Sequence, residues 1–563
     1  MTVKGHLYCT YRELCLAMGL LGDDKEWLST IEEASVSATS AELRTLFSHI
    51  FMFCDVADPL RLWRQTWKLM SDDIPIRTAA TLHMSGITIN LDDLEGYVLY
   101  KLQILLTGHS RNVTDFGLPA VPQNLMDDLH NRLIMEEINY DREALSNQKT
   151  ILLTQLNQKQ RIVYETVMNS NANRRQELIF VYGHGGTGKT FLWKSLTTAL
   201  RVEGKIVLAV ASFGIASLLL PSGQTAHSRF RIPIDITDES VCNIKKKTHM
   251  ATLLRKTELI IWDEVPMNDR KCLEALDRTL RDNFEKAGTP FGGLSFVLGG
   301  DFRQTLPVIK GCGKLEILDT SITHSPLWNH FHIVTLDENM RLQQPNLSEI
   351  DKENIKLFAD WLLQIGKGTI GEPNECDPHN TSWVKIPDQY CIRDDEEGLT
   401  NLISFIYSDV LLCQPDPLKL QQQAIVCPKN ETADTINEAI LIRIEKESKT
   451  YTSYDSTTPY SNDGGQTELL YPLKYLNSQI FPSLPPHQLT LKIGVPVILL
   501  RNLNIAGGLC NGTRMITTQI LSRHIEAKII TGTRIGQKVY LPRISLIYKD
   551  NFYHMFSKES SSQ

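Results

Sequence analysis

The sequence lacks paired cysteines: its 11 cysteines include no CxxC, and the closest two are Cys9 and Cys15. That argues against zinc ribbons and thioredoxin-type redox motifs and fits a reducing compartment. It also lacks an excess of positive charge. Lys plus Arg is 58 against 65 Asp plus Glu, a net charge of -7. Any nucleic-acid contact must therefore come from a local groove, not from a surface that is basic all over. Long apolar runs are missing as well. The best, Gly494 to Leu500, is strand-length, well short of the ~20 residues that cross a bilayer. The opening residues MTVKGHLYCTYREL hold no apolar signal core. The expectation is an intracellular chain with no membrane partner. What is present is ordinary globular composition, 42% apolar and 22% charged over 563 residues. At roughly 100–200 residues per domain that length suggests about three to five domains.

Residues 1–145 read as mostly helical. Leu43, Phe47, Ile50 and Phe51 recur at helical spacing, as do Leu60, Trp63, Trp67 and Met70, and Tyr97 to Leu106 reads as a buried helix. No catalytic motif is found there. Over 150–345 the pattern becomes α/β, strands alternating with helices. The strands are read at Leu178–Tyr182, Lys205–Ala211, Leu259–Trp262 and Leu294–Leu298. Such alternation argues a parallel sheet covered on both faces. Residues 346–445 open with a helix at Ile355 to Ile365 and hold one more strand, Gln423 to Cys427, before a helix carrying Ile436 and Ile440. Residues 446–545 begin as a polar loop, Thr450 to Gln466, and turn β-rich from about 484. Residues 546–563 end in a tail expected to be disordered.

The strongest motif is Gly183-His184-Gly185-Gly186-Thr187-Gly188-Lys189-Thr190. It matches GxxxxGK[ST], follows a strand and opens a helix, which is the context the motif requires. Glycines let backbone N–H groups wrap phosphates, and the helix N-terminus favours their charge. Lys189 reaches the β and γ phosphates of ATP, and Thr190 offers its hydroxyl to Mg²⁺. The second motif is the apolar strand ending in Asp263-Glu264, 74 residues after Lys189. Asp263 suits the Mg²⁺ shell and Glu264 the attacking water, an arrangement for hydrolysis more than for transfer to a metabolite. A third strand end, Gly300-Asp301-Phe302-Arg303-Gln304, places a polar side chain where it can sense the γ phosphate; composition alone leaves an ordinary turn equally open. Lys245-Lys246-Lys247 reads first as a solvated loop. The His330-Phe331-His332 spacing is declined as a metal site for want of convergent ligands.

The set resembles the petite-integration-frequency (Pif-type) DNA helicases of superfamily 1, especially those associated with Helitron transposons. Matching stretches run in one order. They begin with Leu156-Asn-Gln-Lys-Gln160, the phosphate loop, Ala211 to Ala216 and Gly223 to Phe230. Asp263-Glu264, Gly300 to Val308 and Leu336-Asp-Glu-Asn-Met-Arg341 follow, then Pro428-Lys-Asn430, Leu491 to Leu503 and Gly508 to Arg514. The resemblance spans roughly 150–545. It implies a RecA-like P-loop domain, a second RecA-like domain interrupted by an SH3-like β-rich insertion, and ATP-driven movement 5′ to 3′ on single-stranded DNA up to duplex junctions. It gives Gln160 the adenine edge, couples Gln304 to the γ phosphate, and makes Arg341 an arginine finger from the second domain's side of the cleft. Ser212, Gly214, Thr225, His227, Ser228 and Phe230 would lie along the DNA strand, with His227 and Phe230 offering rings to bases. It also implies nuclear localisation and roles in repair, recombination, telomere maintenance or Helitron transposition.

Two departures stand out. Phe213 occupies a place where the family has a small hydroxyl residue. After Arg514 the family's Thr-x-x-Lys-Ser-Gln-Gly stretch and final arginine are not found, so the second RecA-like domain is expected to be truncated. Two readings follow: an ATP-dependent DNA helicase, or a catalytically weak ATP- and DNA-binding remnant of one. A small-molecule P-loop kinase accounts for the phosphate loop but not for Gln304 or the DNA-type stretches.

Overall fold

The structure is a computed structural model. It describes residues 2–3, 6–7, 24–74, 91–107, 109, 111–123, 125, 134–304, 307, 312–343, 348–393, 395–414, 416–455, 473–479, 481, 484–505, 507–532 and 534–546. The chain divides into two compact units, one of residues 1–129 with 399–563 and one of residues 130–398.

After a short antiparallel pair, Thr2–Val3 with His6–Leu7, the first unit holds helices α1 (Lys25–Ser35), α2 (Ser40–Phe53), α3 (Pro59–Thr66) and α4 (Leu91–Thr107). Local chemistry sets their starts. Thr39 closes a capping box with Glu42, its backbone N–H donating to Oε2 at 2.8 Å. Asp58 caps α3, with Pro59 at its first position. The helical spacing noted above buries Leu43, Phe47 and Ile50 against Trp63, whose indole N–H donates to Glu95 Oε1 at 2.6 Å. Arg44 is pinned bidentately by Asp73, both contacts 2.7 Å.

The second unit holds the parallel sheet. Helices α5 (Arg142–Thr154) and α6 (Gln158–Ala172) precede β1 (Leu178–Gly183), α7 (Lys189–Val202), β2 (Ile206–Ala211), α8 (Gly214–Leu218), β3 (Gln224–Thr225) and α9 (Ala226–Phe230). Then come α10 (His249–Lys256), β4 (Thr257–Asp263), α11 (Arg270–Asn283), β5 (Ser295–Gly300), β6 (His332–Leu336) and α12 (Glu349–Lys367). The strand order is β3-β2-β4-β5-β1-β6, every pair parallel. Phe180, Leu208, Ile260 and Phe296 fill the core on one face, while Ile179, Val207, Ile261 and Val297 meet α6 and α7 on the other. Burial on both faces is why these strands read as continuous apolar runs instead of alternating ones. The order puts the carboxyl ends of β1, β5 and β4 side by side, the place where open α/β sheets bind ligands.

A buried ion cluster ties the chain ahead of the sheet to its helices. Glu137 accepts from Arg229 Nη2 at 2.6 Å and from Arg201 Nη2 at 3.2 Å, all three side chains at most 9% exposed. The Tyr140 ring covers Arg201, 4.2 Å away. Removing one partner of a buried pair strands the other charge, at about 3–5 kcal/mol. Glu137→Ala is thus expected to destabilise this unit by that amount in urea titrations. A loss below about 1 kcal/mol would mean that the two guanidiniums rehydrate freely.

The first unit resumes at residue 399 and, after short helices between 398 and 422, continues with α13 (Asn430–Arg443), the antiparallel pair β7 (Ser448–Thr452) with β8 (Gln488–Lys492), and an antiparallel sheet β9 (Pro496–Ile498), β10 (Arg514–Ile520), β11 (His524–Ile529) and β12 (Lys538–Pro542). Edge strand β12 is covered by the N-terminal helices. Ser37 Oγ lies 3.3 Å from Tyr540 Oη, Arg543 pairs with Glu26 at 2.9 Å, and Ser545 N–H donates to Phe53 O at 3.1 Å. A covered edge cannot template pairing with another chain.

Two expectations change. Gln423–Cys427 forms no strand: no described strand lies beside it, and Val426 is 90% exposed. An apolar run becomes a strand only when a neighbour takes its hydrogen bonds. Conversely, Thr450–Thr452, expected as loop, belongs to β7, because β8 supplies the pairing. Residues 456–466 of that expected loop, and the expected tail from 547 on, lie outside the described residues.

Candidate active site

The loop after β1 and the start of α7 form the floor of a cavity of about 380 Å³. It is lined by His184, Gly185, Gly186, Gly188, Lys189, Thr190, Asp263, Glu264, Gln304, Met340 and Arg341. The loop is rigid. Thr187, fully buried, donates its hydroxyl proton to His184 O at 2.9 Å, and Lys189 Nζ donates to Gly183 O at 2.5 Å. The His184 ring folds onto the loop, Nδ1 lying 2.9 Å from Gly185 O. Gly188 sits at φ 78°, and a Cβ there would stand 2.5 Å from Gln160 Nε2. Only glycine meets both demands.

Gln160 is placed differently from the expectation. It is fully buried; its amide donates to Thr187 O at 3.1 Å and Gly188 O at 3.4 Å, and its Oε1 accepts from Asn157 N–H at 3.1 Å. These bonds commit both ends of the carboxamide to the phosphate loop and the cap of α6, so in this structure it braces the loop and offers nothing to an adenine edge.

Across the floor, β4 ends at Asp263, 6% exposed, and Glu264 follows in the left-handed conformation at φ 56°, ψ 36°. Burial pushes the Asp263 carboxyl up from its ordinary value, opposed by the Lys189 charge. Glu264 is pushed up by burial and then by Asp263, and its Oε2 has no hydrogen-bond partner among the described residues. A buried carboxylate oxygen without a partner, on a residue that lines the cavity, is one that a water or a magnesium-bound water would satisfy. Asp263 and Thr190 supply hard oxygen donors, and no group of three metal-ligating side chains occurs among the described residues. Hard oxygen donors are what Mg²⁺ takes, with water and phosphate as most of its ligands. The approach of α7 to the sheet needs Gly299 in β5, where a Cβ would stand 2.4 Å from the Trp193 ring.

Gln304 reaches the cavity on a well-anchored turn. Asp301 Oδ1 accepts from Arg303 N–H and Nε at 3.1 and 2.9 Å, Phe302 packs 5.5 Å from Phe180, and Arg303 lies 5.3 Å over Tyr182.

Arg341 corrects an expectation about origin. It follows β6 within the same unit as Lys189, not on a second domain's side. Met340 N–H donates to Gly186 O at 2.9 Å, and a Cβ on Gly186 would stand 3.4 Å from Arg341 Nε. Met340 itself lines the cavity, its Sδ 3.4 Å from Asn157 Nδ2, and its place inside Leu336 to Arg341 is its only signal in the sequence.

The register Val210↔Gln224 and Ala211↔Thr225 brings the two DNA-type stretches together at the same end of the sheet. Their members differ in availability. Ser228 is exposed and His227 half-buried, its ring held below its ordinary pKa by burial. Thr225, 5% exposed, caps α9 by accepting the Ser228 N–H on its hydroxyl oxygen, and Gly214 is buried at the start of α8. Phe230 is fully buried, 6.1 Å from Trp262, so its ring is core and has no face for a base. The accessible ring is Phe213, 42% exposed. Lys245 to Lys247 are exposed, Lys246 pairing with Asp282 at 2.9 Å. His330 and His332 are exposed on either side of buried Phe331.

The family model described as PIF1-like helicase matches residues 155–376, and that described as DNA helicase Pif1, 2B domain, matches 474–520. The chain is 33% identical over 339 residues to the ATP-dependent DNA helicase Pif1 of Psychrobacter sp., covering 60% of this chain and 43% of the relative. It is 26% identical over 372 residues to the ATP-dependent DNA helicase PIF1 of Danio rerio, covering 65% and 48%. It therefore spans less than half the length of these curated relatives. Among solved structures, a Bacteroides Pif1 helicase in complex with ADP-AlF3 and ssDNA aligns at 23% identity with a TM-score of 0.45, over 71% of this chain and 78% of that one.

Proposed function

We propose, from the premise that the chain belongs to the PIF1-like helicases, that it is an ATP-dependent motor acting on single-stranded DNA. One observation carries the reading: a single cavity gathers the phosphate-loop lysine, the carboxylates of Asp263 and Glu264, Gln304 and Arg341. The loop amides and Lys189 would hold the triphosphate, the positive end of α7 favouring its charge. Asp263 and Thr190 would hold Mg²⁺, which, when bound, neutralises charge developing on the phosphates. Glu264, left with an unpartnered oxygen, would orient and deprotonate the attacking water. Gln304 would report the γ phosphate to the turn at Asp301. Phe213, His227 and Ser228, at the same edge of the sheet, would meet the strand, with Phe213 as the stacking surface.

Movement along DNA then follows from differential affinity, each nucleotide state favouring a different grip on the strand. Translocation from 5′ to 3′ with unwinding at duplex junctions is part of this proposal, as is action in genome maintenance or in Helitron transposition. The test is ATP hydrolysis with and without single-stranded DNA for the wild type and Lys189→Ala. Losing an electrostatic ligand of the reacting phosphate should cost about 10²–10³ in turnover. Equal rates in the two proteins would remove hydrolysis from this cavity.

A further inference from the structure

Ser212 stands at the junction of the two sites, and its hydrogen bonds run inward. Its hydroxyl donates to Glu264 O at 2.6 Å, with Asp263 O more distant at 3.4 Å, and its backbone N–H donates to Asp263 O at 3.2 Å. The indole N–H of fully buried Trp262 donates into the same hydroxyl at 3.3 Å. A serine hydroxyl carries one proton. With the indole occupying a lone pair, that proton is committed to the Glu264 carbonyl. Ser212 therefore has no free donor for a DNA phosphate, the role its place in the sequence suggested.

The carbonyl it holds belongs to a residue in an unusual conformation. Glu264 is left-handed, which is costly for any residue with a Cβ and persists only where surroundings impose it. The restraints are few: Ser212, the Met267 N–H at 3.2 Å on the same carbonyl, and Glu264 N–H donating to Asp263 Oδ1 at 3.1 Å. The side chain adds little, since Oε2 is unpartnered. The direction of the Glu264 carboxylate thus depends on how its peptide is held. Next to Ser212 in the chain, Phe213 presents its ring to solvent.

We infer that Ser212 is a positioning residue. It latches the Glu264 peptide so that the carboxylate faces the cavity, and it joins that carboxylate to the strand-facing residue Phe213. This inference rests on the motor reading above. It reassigns Ser212 from a strand ligand to a link between strand and water activation.

The experiment compares Ser212→Ala and Ser212→Thr with wild type in the full chain. Turnover is measured at saturating ATP and single-stranded oligothymidylate, with separate affinities for each. The alanine variant is expected to lose about tenfold or more in kcat with both affinities within twofold; threonine, which keeps the hydroxyl, restores kcat. A fall in oligothymidylate affinity with kcat unchanged would overturn the inference and make Ser212 a phosphate ligand. Crystal structures of the same variants give a readout free of activity. Glu264 should leave the left-handed region in Ser212→Ala and keep it in Ser212→Thr; Glu264 remaining near φ 56° in the alanine variant would equally overturn it. A wild type that hydrolyses no ATP sinks the motor reading instead, and the crystallographic arm still decides the latch.

Discussion

Glu264→Gln is expected to lower ATP turnover about 10²–10⁴-fold, the usual worth of a positioned general base, while nucleotide still binds. The amide keeps the shape of the side chain but cannot take a proton from water. Two features make the effect large. Burial and the neighbouring Asp263 push the Glu264 carboxyl above its ordinary range, so its basicity at neutral pH is higher than a solvated glutamate's. Its Oε2 also has no hydrogen-bond partner among the described residues, so no protein donor there stabilises the ionised form. The same electrostatics predict a gain in stability. A carboxyl whose folded pKa is raised binds its proton more tightly in the native state, so the ionised form costs stability. That penalty is absent below the unfolded pKa, grows as pH rises through the folded one, and is complete above it. Glu264→Gln removes it, so the variant should melt higher than wild type at pH 7 and match it at acid pH. Turnover is read by phosphate release, nucleotide affinity by titration with a fluorescent ATP analogue, and melting by calorimetry across pH. A variant equally active, or inactive through lost nucleotide binding, would show that another group activates the water.

The parts of this site that were legible in the sequence are those in which one local pattern carries the whole physical requirement. Gly183 to Thr190 needs only a strand, a glycine bend and a helix, all contiguous, and Asp263-Glu264 needs only an apolar strand ending in acids. The central strands were legible for a similar reason: double burial writes itself as unbroken apolar residues. What sequence could not give is which partner a residue finds. Phe230 and Phe213 are both aromatic residues in strand-type stretches, yet one fills the core beside Trp262 and the other meets solvent. Gln160 sits in the expected stretch, but its amide turns to the phosphate loop. Gln423–Cys427 has strand composition without a pairing neighbour, whereas Thr450–Thr452 is polar and pairs because β8 returns beside it about 40 residues later. Glu137, outside every motif, joins Arg201 and Arg229 across 64 and 92 residues. Pairings of that span are set by topology, which a linear pattern does not encode.

Arg341→Ala is expected to reduce turnover by about 10³–10⁵, the range for an arginine that stabilises charge on a transferring phosphoryl group. The geometry sets the form of the loss. Met340 is hydrogen-bonded to Gly186, and the Arg341 stem runs beside the phosphate loop, so the guanidinium resides at the cavity instead of arriving from a second domain. It forms no ion pair among the described residues, which leaves its donors free for phosphate oxygens. A resident arginine acts in every turnover, so the rate without DNA should fall as far as the stimulated rate. An arginine delivered only on closure would leave the unstimulated rate almost untouched. Lysine should not rescue, because a point charge cannot reproduce two parallel donors on neighbouring phosphate oxygens. If the contact forms only in the transition state, kcat and kcat/KM drop together. If it is already made to bound ATP, KM rises while kcat holds, and Arg341 is then a ground-state phosphate ligand. Steady-state kinetics of Arg341→Ala and Arg341→Lys, each with and without single-stranded DNA, separate these outcomes. A loss confined to the DNA-stimulated rate would restore the second-domain assignment that the position of Arg341 after β6 now argues against.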